Sequence, residues 1–192
     1  MKTQIKAALL LASTVAIALP ASAADYTIDT RGAHASINFK VNHLGYSFVV
    51  GRFDTFSGDF SYDQQEPETT SVNVKIETTS VNSNHAERDK HIRSKDFLAV
   101  DQFPDASFSS TKYEASGDEA GKLYGQLTLR GVSKEIIIDV TKVGEGEDPW
   151  GGYRAGFVGS TELVMKDFGI PTNLGPKSTT VVMDLVIEGI KK

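Results

Sequence analysis

Along most of this chain apolar residues recur at every second position, in short runs. Residues 35–43 set the pattern: Ala35, Ile37, Phe39 and Val41 alternate with Ser36, Asn38, Lys40 and Asn42. A period of two puts each set on its own face of a pleated strand, so this segment reads as a strand buried on one side. His43-Leu44-Gly45-Tyr46-Ser47 interrupts it. The alternation resumes from Gly51 through Phe53, then through Phe56, Gly58, Phe60 and Tyr62, and stops at the polar loop QQEPETT. Further strands are predicted at Tyr26 to Asp29, at Val72, Val74, Ile76 and Thr78, at Phe108 to Tyr113, at Leu123, Gly125, Leu127 and Leu129, and at Ile136, Ile138 and Val140. A second acidic, glycine-bearing loop follows Val140, and Asp148-Pro149-Trp150-Gly151-Gly152 has the residues of a tight turn. Two long strands, Tyr153 to Met165 and Thr179 to Ile190, end the chain, with a turn at Asn173 to Pro176 between them.

About eight strands at short, regular spacing predict an all-β antiparallel sandwich or closed barrel. One stretch, residues 80–108, departs from the pattern and reads as helical. Asn84 is placed to cap a helix running to Arg93, with Glu87 three residues on to complete a capping box. His85 and Asp89, Glu87 and His91, and Asp89 and Arg93 are four apart and therefore surface neighbours. Only Ala86 and Ile92 are apolar in it, so the helix is a lid or crossover clipped onto the sheet. Ser94 caps a second short turn that points Phe97 and Leu98 inward, and Phe103-Pro104 ends the segment.

The first 23 residues have a different logic. Lys2 and Lys6, the apolar run Ala7 to Leu19 and the small residues Ala21-Ser22-Ala23 form a secretory signal peptide, with cleavage expected after Ala23. The mature chain, residues 24–192, is of single-domain length and is expected in the periplasm. Losing those two lysines takes the formal charge from −5 to −7, and no window is rich in Lys or Arg. Nucleic acid is excluded as a partner on that balance. No cysteine is present, so neither a disulfide nor a thiolate contributes. No G-x-S-x-G elbow, phosphate-binding loop, dinucleotide fingerprint or H-E-x-x-H pair occurs, and no cofactor is called for.

Six segments together carry a family likeness: HLGYSFVVGRFDTFSGDFSYD, TTSVNSNHAERDKHIRSKDFL, FPDASFSST, LTLRGVSKE, DPWGGYRAGF and MKDFGI. In this order, across essentially the whole mature chain, they resemble the YceI family of secreted bacterial polyisoprenoid-binding proteins. The resemblance implies an extended eight-stranded antiparallel lipocalin-like barrel with a short helical insertion, non-catalytic, whose interior holds a long isoprenoid or similar amphiphilic lipid. An eight-stranded barrel is just wide enough to be filled by its own side chains or to hold one ligand.

The alternating apolar positions would pack a solid core equally well, and periodicity alone does not choose. With the resemblance, Ile37, Phe39, Val41, Phe53, Phe56, Phe60, Val74, Ile76, Phe108, Leu127, Leu129, Ile138, Phe157, Met183 and Leu185 become the expected cavity wall. His43 at a barrel mouth and Arg154 are candidates for a head group, although a turn histidine and a structural salt bridge are the plainer readings. Trp150 is a candidate lid or membrane anchor, with ordinary packing as its alternative. His85 and His91 are six apart, about 120° around a helix, where a zinc pair needs four, so they do not read as metal ligands. The expected partners are an isoprenoid or other long-chain lipid, with transient membrane contact and a homodimer as open possibilities. A secreted enzyme acting on a lipophilic substrate, or a ligand-free stress or interaction module, are the alternatives.

Overall fold

The computed structural model describes residues 23–170 and 175–192. The proposed signal peptide up to Ser22, and Asn173 and Leu174 of the Asn173 to Pro176 turn, therefore lie outside the described residues. The strands are β1 (Ala24–Ile28), β2 (Ser36–His43), β3 (Ser47–Phe53), β4 (Phe56–Tyr62), β5 (Ser71–Glu77), β6 (Val81–Asn82), β7 (Asp105–Ala115), β8 (Ala120–Leu129), β9 (Val132–Glu147), β10 (Tyr153–Val164) and β11 (Thr180–Lys191), with one α-helix, α1 (Ala86–Arg93). All pairings are antiparallel, and the sheet closes on itself through β1 and β11.

The closed barrel has eight positions around its circumference because short strands share places end to end. Along one edge of β11, Val181 to Val186 pair with β2, while Gly189 to Lys191 pair with β1. β3 and β4 are likewise one ribbon bent at Asp54-Thr55, and β5 and β6 are one ribbon bent at residues 78–80. The two bends are tied together: the Asp54 amide donates to the Ser80 carbonyl (3.1 Å), and the Thr55 amide to Ser80 Oγ (3.0 Å). Phe53 and Phe56 are an odd number of residues apart, which in a straight strand would put them on opposite faces. The bend lets both pack on the apolar interior.

Four expectations are corrected. β9 runs on through Gly144 and Gly146 to Glu147, pairing with Tyr153 to Gly156, where a loop was expected; the ladder overrides the weak strand preference of glycine. β3 starts at Ser47, directly after a tight turn in which Leu44 (φ 56°) and Gly45 (φ 87°) both take positive φ and the Tyr46 amide donates to the His43 carbonyl (3.0 Å). The helix is capped by His85, whose Nδ1 accepts from the Arg88 amide at 3.2 Å, and Asn84 is left-handed. Asp89 turns back to accept from both the amide (2.8 Å) and the hydroxyl (2.5 Å) of Ser83 rather than pairing along the helix. Burial works to raise its pKa, but these bonds hold the carboxyl below its ordinary value.

Register fixes two ends. At the near end lie the β2–β3 turn, α1, residues 94–104 and residues 165–170; at the far end lie the β7–β8 and β9–β10 turns. The near end is held by Arg130 of the β8–β9 turn, whose guanidinium donates to the carbonyls of Lys95 (3.0 Å) and Gly169. Ser94 Oγ accepts from the Asp96 amide (3.2 Å), and Leu98 is buried as expected.

Candidate functional site

The barrel is hollow, and its wall shows how. Several aromatic rings lie against glycines across the sheet: Phe39 against Gly51, Phe108 against Gly125 and Tyr113 against Gly121 on the adjacent strand, and Phe60 against Gly189 two strands away. A Cβ at any of these glycines would come within 2.3 to 2.4 Å of the covering ring. Rings that would otherwise fill the lumen are thereby kept against the wall. Inward apolar residues such as Val41, Val74, Met183 and Leu185 are consequently only half-buried, since they border space instead of neighbours.

The space forms two chambers. The near chamber, about 370 Å³, is lined by Phe39, Val41, His43, Phe53 and Leu129 from the strands and by Ile92, Phe97, Leu98, Met165, Phe168 and Ile170 from the cap. The far chamber, about 140 Å³, is lined by Ile37, Phe60, Val74, Phe108, Ile138, Phe157 and Leu185, together with Val72, Tyr113, Leu123, Ile136 and Val140. Ile76, Leu127, Leu163 and Met183 border both and form the waist between them.

Both ends carry polar groups. The near chamber meets Asn42, His43, Arg88, His91 and Ser178, of which His43 and His91 are exposed. Arg88 is held in place by donating to Ser83 Oγ (2.7 Å) and the Ser83 carbonyl (2.6 Å), and the His91 ring meets Phe97 edge-on. At the far end Tyr62, Tyr113 and Phe157 border both the far chamber and a polar recess of about 270 Å³ that contains Gln64, Glu119 and Lys142. There Lys142 pairs with Glu145 at 3.1 Å and lies 5.1 Å from the Tyr62 ring. Burial works against the charged ammonium, but Glu145 and Tyr62 outweigh it and raise the pKa.

Fifteen of the eighteen residues proposed from the sequence border one chamber or both. Phe56, Trp150 and Arg154 do not. Phe56 packs in the wall with Tyr26, Ile28 and Ala106. Trp150, the candidate lid, is 79% exposed at the far end and covers neither chamber. Arg154 lies on the outside, donating to Asp29 (2.8 Å), Asp148 (2.8 Å) and Glu188 (2.5 Å), so its fork is already occupied by carboxylates. Asp29, His34 and Glu188 approach closely enough to suggest a metal site, but Arg154 already supplies the cation that this group needs. Its hydrogen bonds, with that of the Gly32 amide, lower the Asp29 pKa from 3.8 to about 2.

Among the lining residues that sequence reasoning did not single out, two groups were hidden for identifiable reasons. Leu163, Thr161 and Gly159 of β10 face inward, but a glycine and a threonine in that row hide its alternation. Met165, Phe168 and Ile170 come from a non-strand segment, where period two says nothing.

A hollow, apolar, eight-position barrel with a helical cap narrows the fold, and sequence comparison decides the family. Residues 26–188 match the model of the YceI-like domain. The chain belongs to the YceI-like family. It is 59% identical over all 192 residues to a UPF0312 protein of Shewanella baltica strain OS155, covering the whole of both chains. Among solved structures it resembles the Campylobacter jejuni YceI protein, with 31% identity, TM-score 0.72, and coverage of 80% of this chain and 91% of that one. Two more distant proteins share the fold. One is Burkholderia cenocepacia BcnA, at 18% identity and TM-score 0.74, covering 84% of this chain and 98% of that one. The other is a polyisoprenoid-binding domain from Saccharophagus degradans implicated in plant cell wall breakdown, at 17% identity and TM-score 0.62, covering 89% of this chain and all of that one.

Proposed function

We propose that this YceI-like protein is a periplasmic carrier that holds the isoprenoid tail of a quinone or polyprenyl lipid in its two chambers, with the head group at the near end. The observation that carries the reading is the apolar hollow itself, whose aromatic lining is packed close against glycines of the wall. An apolar cavity of about 150 Å³ holds a benzene ring. By that yardstick the near chamber takes roughly fifteen carbons and the far chamber roughly six, an isoprenoid tail of about four units. Each buried CH₂ is worth about 0.8 kcal/mol against water, so such a tail leaves for another apolar phase and not for water. Slow release of that kind suits carriage and defeats turnover. His43, Arg88 and His91 are the groups placed to meet a polar or anionic head. The resemblance to a domain that binds polyisoprenoid supports the ligand class.

The test is organic extraction and mass spectrometry of the protein purified from the periplasmic fraction, with an intact-mass measurement of its first residue. The expected result is a chain beginning at Ala24 that carries an isoprenoid lipid or takes up quinone or prenol on incubation. Leu127→Asp, which puts a carboxylate at the waist, should abolish retention, and His91→Ala should leave it largely intact. Absence of both co-purifying lipid and uptake would overturn the proposal.

A further inference from the structure

We propose that the β2–β3 turn is a membrane-seating tip, which sets the near end of the lumen against an anionic lipid surface. The inference rests on reading the lumen as a lipid site. Leu44, Tyr46, Phe48 and Val50 are exposed by 51%, 88%, 58% and 61%, and they crowd into one turn and the strand leaving it. Single exposed apolar residues are ordinary, but a contiguous group marks a contact surface. Phe48 and Val50 stand opposite Asn42 and Lys40 of β2. Leu44 and Val49, from the same tip, border the near chamber. The tip and the lumen are therefore continuous.

The charge around it identifies the partner. No Asp or Glu occurs between Asp29 and Asp54, in a chain whose net charge is −5. Lys40 Nζ lies 5.5 Å from the Phe48 ring, and the Lys177 side chain packs against Gly45. Aromatic residues backed by lysines suit the boundary between acyl chains and head groups, where the apolar stem is buried and the ammonium reaches anionic phosphate. Trp150, at the far end, is equally exposed, but Glu147 stands near it in the chain and the Arg154 guanidinium, 5.8 Å from its ring, is already held by three carboxylates, so that cation is not free for an anionic surface. Among the described residues Ser47 to Gly51 of β3 pair only with β2, so a second copy could also add to this edge. A second copy pairing through this stretch, which holds no Asp or Glu, would bring no carboxylate to Lys40 and Lys177, whereas anionic lipid supplies the counter-charge. A tail that is costly to expose to water also needs such a seat, because it can then pass from bilayer to near chamber without crossing solvent.

The chain from Ala24 onward holds every strand of the barrel, and it is the material for flotation with vesicles of phosphatidylethanolamine and phosphatidylglycerol. The comparison is with a Tyr46→Ser/Phe48→Ser double variant, whose two changed side chains border neither chamber. Wild type should float with the vesicles and lose binding several-fold when phosphatidylglycerol is omitted or salt is raised. The double variant should bind at least tenfold more weakly, with its uptake of quinone in detergent unchanged. Equal flotation of wild type and variant, or no flotation of wild type, overturns the proposal. So does a wild-type dimer that the variant converts to monomer without any vesicle binding, since the tip then serves a second copy. Failure of quinone uptake in wild type with tip-dependent flotation intact would sink the carrier reading alone.

Discussion

Filling the far chamber from its wall should shorten the tail that the protein accepts. Gly159 of β10 faces that chamber opposite Leu185 and Val140. A Cβ there would lie 3.0 Å from Ile138 Cγ2 and 3.5 Å from Leu185 Cδ1, both movable side-chain ends. Gly159→Leu therefore fits with a shift of a few tenths of an ångström, and its side-chain carbons occupy most of the room that roughly six carbons would use. Overpacking costs about 1–3 kcal/mol, offset in part by removing a strand glycine, so the variant should fold. A prenol long enough to place one unit in the far chamber loses burial of five carbons, up to about 4 kcal/mol at 0.8 kcal/mol each, or close to a thousandfold in affinity. Farnesol, one unit shorter than geranylgeraniol, fits the near chamber alone. Competitive displacement of a fluorescent apolar probe, with thermal unfolding to verify the fold, should show geranylgeraniol weakened to the level of farnesol and farnesol unchanged. Equal weakening of both, or of neither, would refute the order in which the chambers are filled.

The rings laid on glycines predict that Gly51→Ala, whose Cβ would stand 2.3 Å from Phe39 Cζ, drives that ring into the near chamber. Chemical denaturation should show a loss of about 1–3 kcal/mol, with reduced prenol capacity, and adding Phe39→Leu should recover part of the stability, the remainder belonging to the Asn82 carbonyl 2.9 Å from the same Cβ; no recovery at all would mean that the ring is not the main clash. Asp89→Ala removes a charged acceptor for the Ser83 amide and hydroxyl and should destabilise the cap by about 1.5–3 kcal/mol in the same assay, and an unchanged midpoint would discount the tie. The Asp29–Arg154 contact contributes stability that is complete above the carboxyl's ordinary pKa of 3.8 and is lost as pH falls towards about 2. In Arg154→Gln, Asp29 and Asp148 lose the guanidinium that lowers their pKa values and face each other and Glu188 without their cation. That variant should then gain stability as pH falls from 7 to about 4, and melting curves in which it parallels wild type would contradict the assignment.

How much of this was legible beforehand follows from what side-chain period can encode. Ile37, Phe39 and Val41 alternate because one face of β2 is apolar, and the all-β class, the antiparallel pairing and most wall residues follow from such rows. The helical interruption was also readable from its polar spacing, though not its cap. A strand at Ser47 to Val50 escaped notice because Phe48 and Val50 are apolar on the outward face, contrary to the rule that the pattern depends on. For Arg154 the salt bridge, the plainer of its two readings, is the one formed, but nothing local reveals that Asp29, 125 positions away, is a partner.

By itself, the sequence determined which residues have an apolar face to hide, and in what rhythm. Only the tertiary structure decided that those faces enclose a hollow, because filling a lumen depends on where each ring rests. Phe39, Phe60, Phe108 and Tyr113 rest on glycines that are remote in the chain or across a turn, and their volume is spent at the wall. The same apolar residues, with those glycines replaced, would have the composition of a packed core.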